Sequence, residues 1–347
     1  MQVSGERTTP TIRLADIAAH AGVSEATVSR VLNGKQGVGL DTRQAVLAAL
    51  DVLGYERPPR SRQRSAGLIG LVIPELDNPI FPAYAQAIET LLTKQGYTPM
   101  LCTLTPGGVS EDEYTEMLLD RGVAGIVFVS GLHADTTADP DRYRRLVERR
   151  LPIVLINGHM PQVQAPFFAT DDRYSMRQAI SHLVELGHER IGMATGPVRY
   201  VPVIRKIEGF LAACSSLLGV EESVARERIA HTMFSVAGGQ QAARALVERG
   251  CTAIVCGSDM MALGAIRALR DEGLSVPQDV SVIGYDDSPL IAFTDPPLTT
   301  MRQPVQAIAA SAVEALLEEM AGMPGPKDEF VFAPELVVRG STAAARR

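Results

Sequence analysis

The chain of 347 residues is predicted to combine a small all-α helix-turn-helix head with an α/β body of two doubly wound parallel-sheet subdomains. Three observations predict this architecture. Apolar residues recur with helical spacing in the first 55 residues, and short apolar runs alternate with helical segments from Gly67 onward. A stretch rich in arginine and proline separates these two regions. The body, at about 280 residues, is too long for one core, which favours two subdomains.

The head begins with two short helices joined by a tight turn. Leu14, Ile17 and Ala18 form an apolar face on the first helix, and Gly22 supplies a turn conformation that a side chain would resist. Ser24 is a good N-cap for the second helix, and a third helix over 41–54 is predicted to start with Asp41 as its cap. The inward stripes of the second and third helices are Val28, Val31, Leu32, Val46, Leu47, Leu50 and Leu53.

The outward face of the second helix consists of small or hydrogen-bonding residues. These residues are Glu25, Ala26, Thr27, Ser29, Arg30 and Asn33. They concentrate toward the helix N-terminus, which is the end that a helix-turn-helix places in the DNA major groove. The alternative is a generic helical hairpin in the N-terminal segment of an enzyme, which the turn glycine, the cap and the polar face disfavour.

Charge is distributed unevenly along the chain. The formal net charge is −7, but residues 1–65 carry nine basic and six acidic side chains, a charge of +3. The remainder carries 24 basic and 34 acidic side chains, a charge of −10. A basic head on an acidic body is suited to binding the phosphate backbone through the head alone.

Residues 56–66 are predicted to form a linker between the head at 1–55 and the body at 67–347. The stretch 56–65 contains two prolines and no aliphatic residue, so it cannot pack a core and is either a linker or a segment that a partner orders. Its arginines are Arg57, Arg60, Arg62 and Arg64.

Short apolar runs predict the strands of the body. These runs are 68–73, 100–103, 125–129, 153–156, 191–194, 253–255 and 280–284. Helical segments such as 80–95, 176–186 and 261–272 lie between them, a pattern typical of parallel sheets that are covered on both faces. We place the division between the subdomains near 168–172, and we expect a final helix over 304–320 and a strand over 330–338.

Polar side chains follow several of these predicted strands, at the edge where open α/β sheets bind ligands. They are Asp77, Asn78, Asn157, Asp171, Asp172, Ser258, Asp259, Asp286 and Asp287, with Phe81 nearby. Convergent oxygen acceptors and an aromatic ring suit a polyhydroxylated ligand. Taken singly, Asp172 and Asp259 are equally explained as helix N-caps, Asn157 as part of a turn and Phe81 as a core residue.

Other classes of protein fit the sequence less well. It contains no nucleophile elbow, no P-loop lysine motif and no dinucleotide-binding glycine motif after a strand, which disfavours an enzyme. A transport protein with such a body would need a signal peptide, and no apolar run is long enough to span a membrane. The four cysteines lack metal-ligand spacing. We therefore expect a cytoplasmic protein with buried, reduced thiols and no metal, cofactor or membrane partner.

Motifs along almost the whole chain carry a resemblance to a known family. The head contains Leu14-Ala-Asp-Ile-Ala and then Gly22-Val-Ser-Glu-Ala-Thr-Val-Ser-Arg-Val-Leu-Asn-Gly34. The body motifs cover 67–74, 78–81, 186–192, 258–264, 277–287, 297–300 and 335–341. Together they resemble the LacI–GalR family of bacterial transcriptional regulators. Within that family, residues 74–83 and 101–111 look like actinobacterial repressors of maltose or α-glucoside genes.

The resemblance implies a homodimer whose heads bind a pseudopalindromic double-stranded operator. By motif position, Glu25, Ala26 and Arg30 would face base edges, and Arg30 is suited to guanine. The phosphate contacts would be Ser24, Thr27, Ser29 and Asn33.

The same resemblance implies a periplasmic-binding-protein-like body whose cleft binds a small effector, expected to be a mono- or disaccharide. Its effector contacts would be Phe81, Asn157, Asp171, Phe234, Ser258, Asp286 and Gln303. A basic cleft residue is expected at Lys206 or at the neighbouring Arg205, and the sequence leaves both open. The implied lobes, joined by three crossovers, are 67–168 with 300–328, and 169–299 with 329–347.

The linker departs from the family pattern, since it is short and lacks the leucine that usually inserts into the minor groove. We expect its arginines to follow phosphates or a narrow minor groove instead. Glu25 stands where relatives often have a basic residue, so the operator preference should differ. The sequence predicts a repressor of carbohydrate utilisation genes that a small sugar releases from its operator. The alternatives are a regulator that binds DNA with a metabolite such as a purine, and a sugar-binding transport protein.

Overall fold

A computed structural model describes residues 12–32, 37–55, 65–104, 107–323 and 325–346. The chain divides into two compact units, Met1–Arg64 and Ser65–Arg347. Several residues predicted to bind DNA lie outside the described residues, namely Asn33, Arg57, Arg60, Arg62 and Arg64.

The described part of the head consists of three helices around one small core. The helices are α1 (Leu14–Ala21), α2 (Glu25–Leu32) and α3 (Leu40–Leu53). The buried core residues are Ile17, Ala18, Val28, Val31, Val46 and Ala49. Gly22 ends α1 in the left-handed conformation with φ +66°, and its N–H bonds the Ala18 carbonyl. The predicted tight turn between the first two helices is therefore confirmed.

Two predictions about α3 are wrong. The helix begins at Leu40, so Gly39 and not Asp41 occupies the N-cap position. Leu47 does not face inward and is 53% exposed. The buried face instead runs through Val46 and Ala49, which are three residues apart and so share one side of the helix.

The body contains the remaining elements. Its strands are β1 (Leu68–Ile73), β2 (Thr98–Thr103), β3 (Gly125–Val129), β4 (Ile153–Ile156), β5 (Phe167–Thr170), β6 (Ile191–Thr195), β7 (Ile229–His231), β8 (Ala253–Cys256), β9 (Ser281–Asp286), β10 (Thr299–Arg302), β11 (Glu329–Phe332) and β12 (Glu335–Val337). Its α-helices are α4 (Ile80–Lys94), α5 (Glu111–Asp120), α6 (Asp141–Glu148), α7 (Asp172–Glu185), α8 (Val201–Leu218), α9 (Glu222–Glu227), α10 (Val236–Glu248), α11 (Asp259–Asp271) and α12 (Val305–Met320). Single 3₁₀ turns cover Leu132–Ala134 and Ile291–Phe293.

The described strands form two six-stranded sheets. The first sheet has the order β11-β5-β4-β3-β1-β2, and the second has the order β12-β10-β9-β8-β6-β7. Neighbouring strands are parallel throughout, except that β10 pairs with β12 in the antiparallel direction. Each sheet has a hydrophobic core on both faces. We call the first sheet with its helices the first lobe, and the second sheet with its helices the second lobe.

The described chain passes between the two lobes three times, after β5, after β10 and after β11. The single strand predicted over 330–338 is wrong, because β11 and β12 belong to different sheets. Pro334 lies between them and has no N–H to continue a strand ladder. The implied lobe bounds shift accordingly, since β11 pairs with β5 in the first lobe and β10 pairs with β9 in the second. Strand β7 was not predicted, because its three residues are too short a run to stand out.

The cysteines of the described chain, Cys102, Cys214, Cys251 and Cys256, are buried and free, as predicted. No helix among the described residues is long and apolar enough to cross a membrane. Within the same ranges, no cluster of three or more histidine, cysteine, aspartate or glutamate side chains is placed to hold a metal ion.

Candidate functional site

The start of α2 is fixed by Ser24. The Ser24 Oγ accepts a hydrogen bond from the Thr27 backbone N–H at 3.2 Å, and the two hydroxyl oxygens lie 2.9 Å apart. Val28 and Val31 are buried in the head core. The predicted N-cap and inward stripe are therefore confirmed, and together they determine which residues of α2 point outward.

The outward face of α2 is accessible. Glu25, Ala26 and Arg30 are exposed, whereas Thr27 and Ser29 are half-buried. Short polar side chains beside the free N–H groups of a first helical turn are suited to phosphate oxygens, and a long side chain such as arginine reaches base edges. The geometry of α2 is thus that of a helix able to enter a DNA groove.

A buried polar cluster joins the two lobes of the body at the carboxyl ends of their strands. Gln303 follows β10 and donates from Nε2 to the Asp286 Oδ1 at 2.7 Å. The Gln303 Oε1 accepts hydrogen bonds from the Tyr84 hydroxyl at 3.1 Å and from the Thr170 Oγ1 at 3.0 Å. Because Tyr84 belongs to the first lobe and Asp286 to the second, one amide side chain connects the lobes.

The Asp286 carboxyl group has one oxygen that is not satisfied. Its Oδ2 is buried and has no hydrogen-bond partner among the described residues. Burial and the negative charge of Asp259 raise the pKa of Asp286 well above its usual value, against the opposing effects of Gln303 and Lys206. The Asp286 backbone has φ +119°, a rare conformation for a residue with a side chain. A buried oxygen without a partner is costly, so this atom marks a position where a ligand would be stabilised.

Lys206 and Asp172 form a buried ion pair in the same region. The Lys206 Nζ donates to the Asp172 Oδ1, which also accepts from the Tyr285 hydroxyl at 2.8 Å. The same Nζ lies 3.9 Å from the centroid of the Tyr285 ring, a cation–π distance. The structure therefore brings Lys206 into the cluster. Arg205 instead pairs with Glu329, with the Nη2 and Oε2 atoms 2.8 Å apart, and so links α8 to β11 of the first lobe.

Two of the predicted effector residues act as helix N-caps. The Asp171 Oδ1 and the Ser258 Oγ each accept a hydrogen bond from the backbone N–H three residues later, at 2.9 and 3.2 Å. The alternative in which Asp172 and Asp259 cap these helices is wrong. Each of them is the first residue inside its helix, and its carboxylate is bonded to other groups.

The aromatic and amide candidates lie at other strand ends. Asn157 directly follows β4 with φ +65°, and Phe81 packs against the core of the first lobe from the first turn of α4. The Phe234 ring lies so close to Gly196 that a Cβ there would be 2.1 Å from it. Among the described residues, no hydrogen bond joins these three side chains to Asp286.

Sequence reasoning missed several members of the cluster. Tyr84 lies one helical turn after Phe81, so the helical period could have found it. Thr170 and Tyr285 are buried within strands, where a pattern of apolar residues gives no sign that their hydroxyl groups face a polar partner.

Two loops also bridge the lobes. Asp135 in the first lobe forms an antiparallel backbone bridge with Tyr200 in the second. The Thr136 N–H donates to the Arg199 carbonyl at 2.8 Å, and the Arg199 Nε lies 2.9 Å from the Asp135 Oδ2. We call these four residues the loop bridge. It holds together two segments that follow β3 and β6, so the lobes are in contact at this point.

Family models match both units of the chain. Residues 13–58 match the model described as bacterial regulatory proteins, lacI family, and residues 180–342 match the model described as a periplasmic binding protein-like domain. The chain is 67% identical to the HTH-type transcriptional regulator reg1 of Streptomyces lividans, over 96% of this chain and 98% of that protein. It is also 67% identical to the HTH-type transcriptional regulator MalR of Streptomyces coelicolor, over the same shares.

Solved structures agree with these matches. A complex of the transcriptional regulator CelR with cellobiose is 30% identical with a TM-score of 0.70, over 95% of this chain and 99% of that one. A LacI family regulator from Enterococcus faecium with bound ribose is 27% identical with a TM-score of 0.71, over 80% of this chain and 100% of that one. The lac repressor dimer, bound to operator and the anti-inducer ONPF, is 26% identical with a TM-score of 0.68, over 96% and 100%.

Proposed function

The chain belongs to the LacI family of bacterial transcriptional regulators, and we propose that it is a homodimeric repressor that a small sugar releases from operator DNA. It is a DNA-binding regulator and not an enzyme, because the relatives that match over nearly their whole length are transcriptional regulators. The matched head also argues against a transport protein, because such a protein does not bind DNA. Since its target is chromosomal DNA, we propose that it acts in the cytoplasm.

The observation that carries the proposal for a sugar is the unpartnered Oδ2 of Asp286. In the proposed complex, a sugar hydroxyl donates a hydrogen bond to this atom. Gln303 holds the other oxygen of Asp286 and connects it to Tyr84 of the first lobe, so the ligand binds where both lobes contribute. The positive charge of Lys206, which is bonded to Asp172, also acts on the Asp286 carboxyl group and opposes the rise of its pKa.

The rest of the proposed sugar site uses the other strand ends. Aromatic rings cover the apolar C–H face of a sugar, and amides and hydroxyls bind its oxygen atoms. The residues proposed for these contacts are Phe81, Phe234, Asn157, Asp171 and Ser258. Arg205 is proposed to support the site from outside, since its guanidinium group is already bound to Glu329.

The effector we propose is a mono- or disaccharide, with α-glucosides such as maltose as the first candidates. Structures similar to this chain were solved with cellobiose and with ribose bound. The motifs at 74–83 and 101–111, which look like those of actinobacterial repressors of maltose or α-glucoside genes, support this choice. One of the two Streptomyces regulators that are 67% identical to this chain is named MalR.

On the DNA side, we propose that Arg30 binds guanine and that Glu25 accepts a hydrogen bond from cytosine N4, with Ala26 against a neighbouring base edge. The proposed phosphate contacts are Ser24, Thr27, Ser29 and Asn33, together with the linker arginines Arg57, Arg60, Arg62 and Arg64. Their exposed or half-buried positions on α2 support this arrangement for the described members of the set.

Sugar and operator binding are proposed to be coupled through closure of the lobes. A sugar that contacts both lobes favours the closed form, in which the linker would not bind DNA. The coupling is reciprocal, so operator DNA should weaken sugar binding by the same factor by which sugar weakens operator binding. A co-repressor such as a purine would have the opposite effect and would strengthen operator binding.

Fluorescence anisotropy tests the proposal, with a labelled operator selected from random-sequence DNA by the wild-type protein. Maltose, cellobiose and ribose are titrated into the complex, and we expect one of them to weaken operator binding at least tenfold. Asp286→Ala should bind the operator normally and lose this response. Asp295→Ala is the control, because that side chain is 97% exposed, and it should respond like the wild type. Stronger operator binding with hypoxanthine, and no response to any sugar, would contradict release by a sugar and would support the co-repressor alternative.

A further inference from the structure

Positive charge collects on one surface of the second lobe, away from the proposed sugar site. A cavity of about 610 Å³ is lined by Arg190, Val224, Arg226, Glu227, Arg228, Ile229 and Arg249. Its described lining therefore has four arginines and one carboxylate, although the body carries a charge of −10. We call it the arginine cavity.

The arginine cavity lies at the opposite sheet edge from the buried polar cluster. Arg190 and Arg228 immediately precede β6 and β7, whereas Asp286 is the last residue of the parallel strand β9. Amino and carboxyl ends of parallel strands are on opposite edges of a sheet. A ligand in the arginine cavity would therefore be separate from a sugar in the cleft.

Main-chain carbonyl groups hold three of the guanidinium groups in place. The Arg190 Nη2 donates to the Arg249 carbonyl at 2.7 Å, and the Arg228 Nη1 donates to the Glu189 carbonyl at 3.0 Å. The Arg249 Nη1 donates to the Glu227 carbonyl at 2.8 Å. Each of these bonds uses one nitrogen of a group that has five N–H donors, so most donors remain available in fixed positions.

Carboxylates of the described chain do not neutralise these three arginines. None of Arg190, Arg228 and Arg249 forms an ion pair within 4.0 Å among the described residues, whereas Arg226 pairs with Glu222 in an exposed contact. The same three charges act together on the Cys251 thiol. Burial raises the pKa of this thiol, and all three guanidinium groups oppose that rise.

Gly250 lets the Arg190 guanidinium lie directly against the backbone. A Cβ at this position would be 3.1 Å from the Arg190 Nη2, and the backbone has φ +76°, which favours glycine. The chain therefore holds the cationic group at a close and defined position in the wall of the arginine cavity.

We propose that the arginine cavity binds a small molecule with two or more phosphate groups. Guanidinium groups bind phosphate oxygens through paired N–H donors, and several fixed guanidinium groups suit a multivalent anion. A volume of about 610 Å³ falls within the range that small-molecule sites occupy. The concave shape suits a compact phosphate ester, and the protein thus has a second ligand site in addition to the cleft.

Isothermal titration calorimetry of the full-length protein tests this proposal, with pyrophosphate as the probe and inorganic phosphate and citrate for comparison. We expect saturable binding of one pyrophosphate per chain, tighter than that of inorganic phosphate. Arg190→Gln should weaken it at least fivefold, and Arg190→Gln with Arg228→Gln at least fiftyfold. Arg244→Gln is the matched control, since it removes an exposed, paired arginine outside the arginine cavity, and binding should stay within twofold of the wild type.

The same titration on the protein saturated with operator DNA distinguishes this site from the head, which also binds phosphate groups. Binding that persists with operator bound supports the arginine cavity. Circular dichroism melting of each variant shows whether it folds, and the single variant Arg190→Gln, at an exposed residue, serves if the double variant does not fold. Absence of saturable binding, or equal loss in Arg190→Gln and Arg244→Gln, would overturn the proposal. Tighter binding of citrate than of pyrophosphate would overturn the assignment to phosphate.

Discussion

The outer face of α2 and the buried polar cluster of the body present their functional groups in opposite ways. On α2, the residues proposed to face bases are Glu25, Ala26 and Arg30, all exposed and all within one short helix. In the cluster, Tyr84 and Gln303 are buried and are 219 residues apart in the chain. Each polar atom of the Gln303 side chain is already hydrogen-bonded to the protein.

This difference predicts how the two regions respond to substitution. Side chains on an exposed helix face act nearly independently, so a change there should alter DNA binding without altering stability. Side chains in a buried hydrogen-bonded network depend on one another, so a change there should lower the stability of the body as well as its affinity for ligand, while the folded protein still binds the operator.

The largest effect is expected at Lys206, in the buried cluster. Lys206→Met leaves the Asp172 carboxylate buried without its cation, and both side chains of this pair are only 6% exposed. Removing one partner of a buried pair costs about 3–5 kcal/mol of unfolding free energy. Urea unfolding followed by circular dichroism measures the loss. The Lys206→Met and Asp172→Asn double variant should regain part of it, because no buried charge is then left unpaired.

Arg173→Met provides the control for that measurement. Arg173 pairs with Glu208 at the surface, and the two side chains are 56% and 48% exposed. Exposed pairs contribute about 0–1 kcal/mol, so this variant should unfold nearly like the wild type. If Lys206→Met were no less stable than Arg173→Met, the buried ion pair would contribute no more to stability than an exposed one, which would contradict the expected dependence of the cluster on its members.

The two regions also differ in how far sequence alone could predict them. Ser24, Val28 and Val31 were placed correctly because capping and helical periodicity act over three or four residues, which a sequence displays directly. The parallel sheets followed from alternation of apolar runs with helices. For the cluster, the rule that ligands bind at strand ends pointed to Asp286, but not to the hydrogen bond between Tyr84 and Gln303, which only the folded chain brings together.

Errors of one residue had a different origin. The choice between Asp171 and Asp172 as the cap of α7 depends on where the backbone turns into the helix, and both residues are acceptable caps by type. Asp171 is the cap, because the Asp172 side chain is buried in the lobe and pairs with Lys206. The predicted C-terminal strand is divided because the residues before Pro334 join the first sheet and those after it join the second. Composition does not reveal which sheet a strand joins.

An intermediate effect is expected at Arg30, on the exposed face of α2. Arg30→Ala removes the proposed guanine contact and should lose about 1–3 kcal/mol of discrimination between operator and unrelated DNA. Anisotropy titrations with both DNA molecules measure this difference. Because Arg30 is exposed, the melting temperature and the affinity for sugar should be unchanged. Loss of both DNA and sugar binding would indicate a folding defect and would contradict an independent role.

The smallest effect is expected at the loop bridge, where an exposed arginine pairs with a buried aspartate. The Arg199 side chain is 51% exposed and that of Asp135 is 11% exposed, so solvent screens the pair from the arginine side and it should contribute about 1 kcal/mol to lobe closure. Arg199→Ala should therefore weaken sugar binding by no more than about fivefold, as measured by calorimetry, and a double-mutant cycle with Asp135→Asn isolates the pair. Arg267→Ala, which removes an exposed pair within α11, should leave the affinity unchanged. A loss near that of Asp286→Ala would show that closure depends on the loops as much as on the cluster, because the coupling between the lobes would then reside in the loop bridge as well as in the buried network.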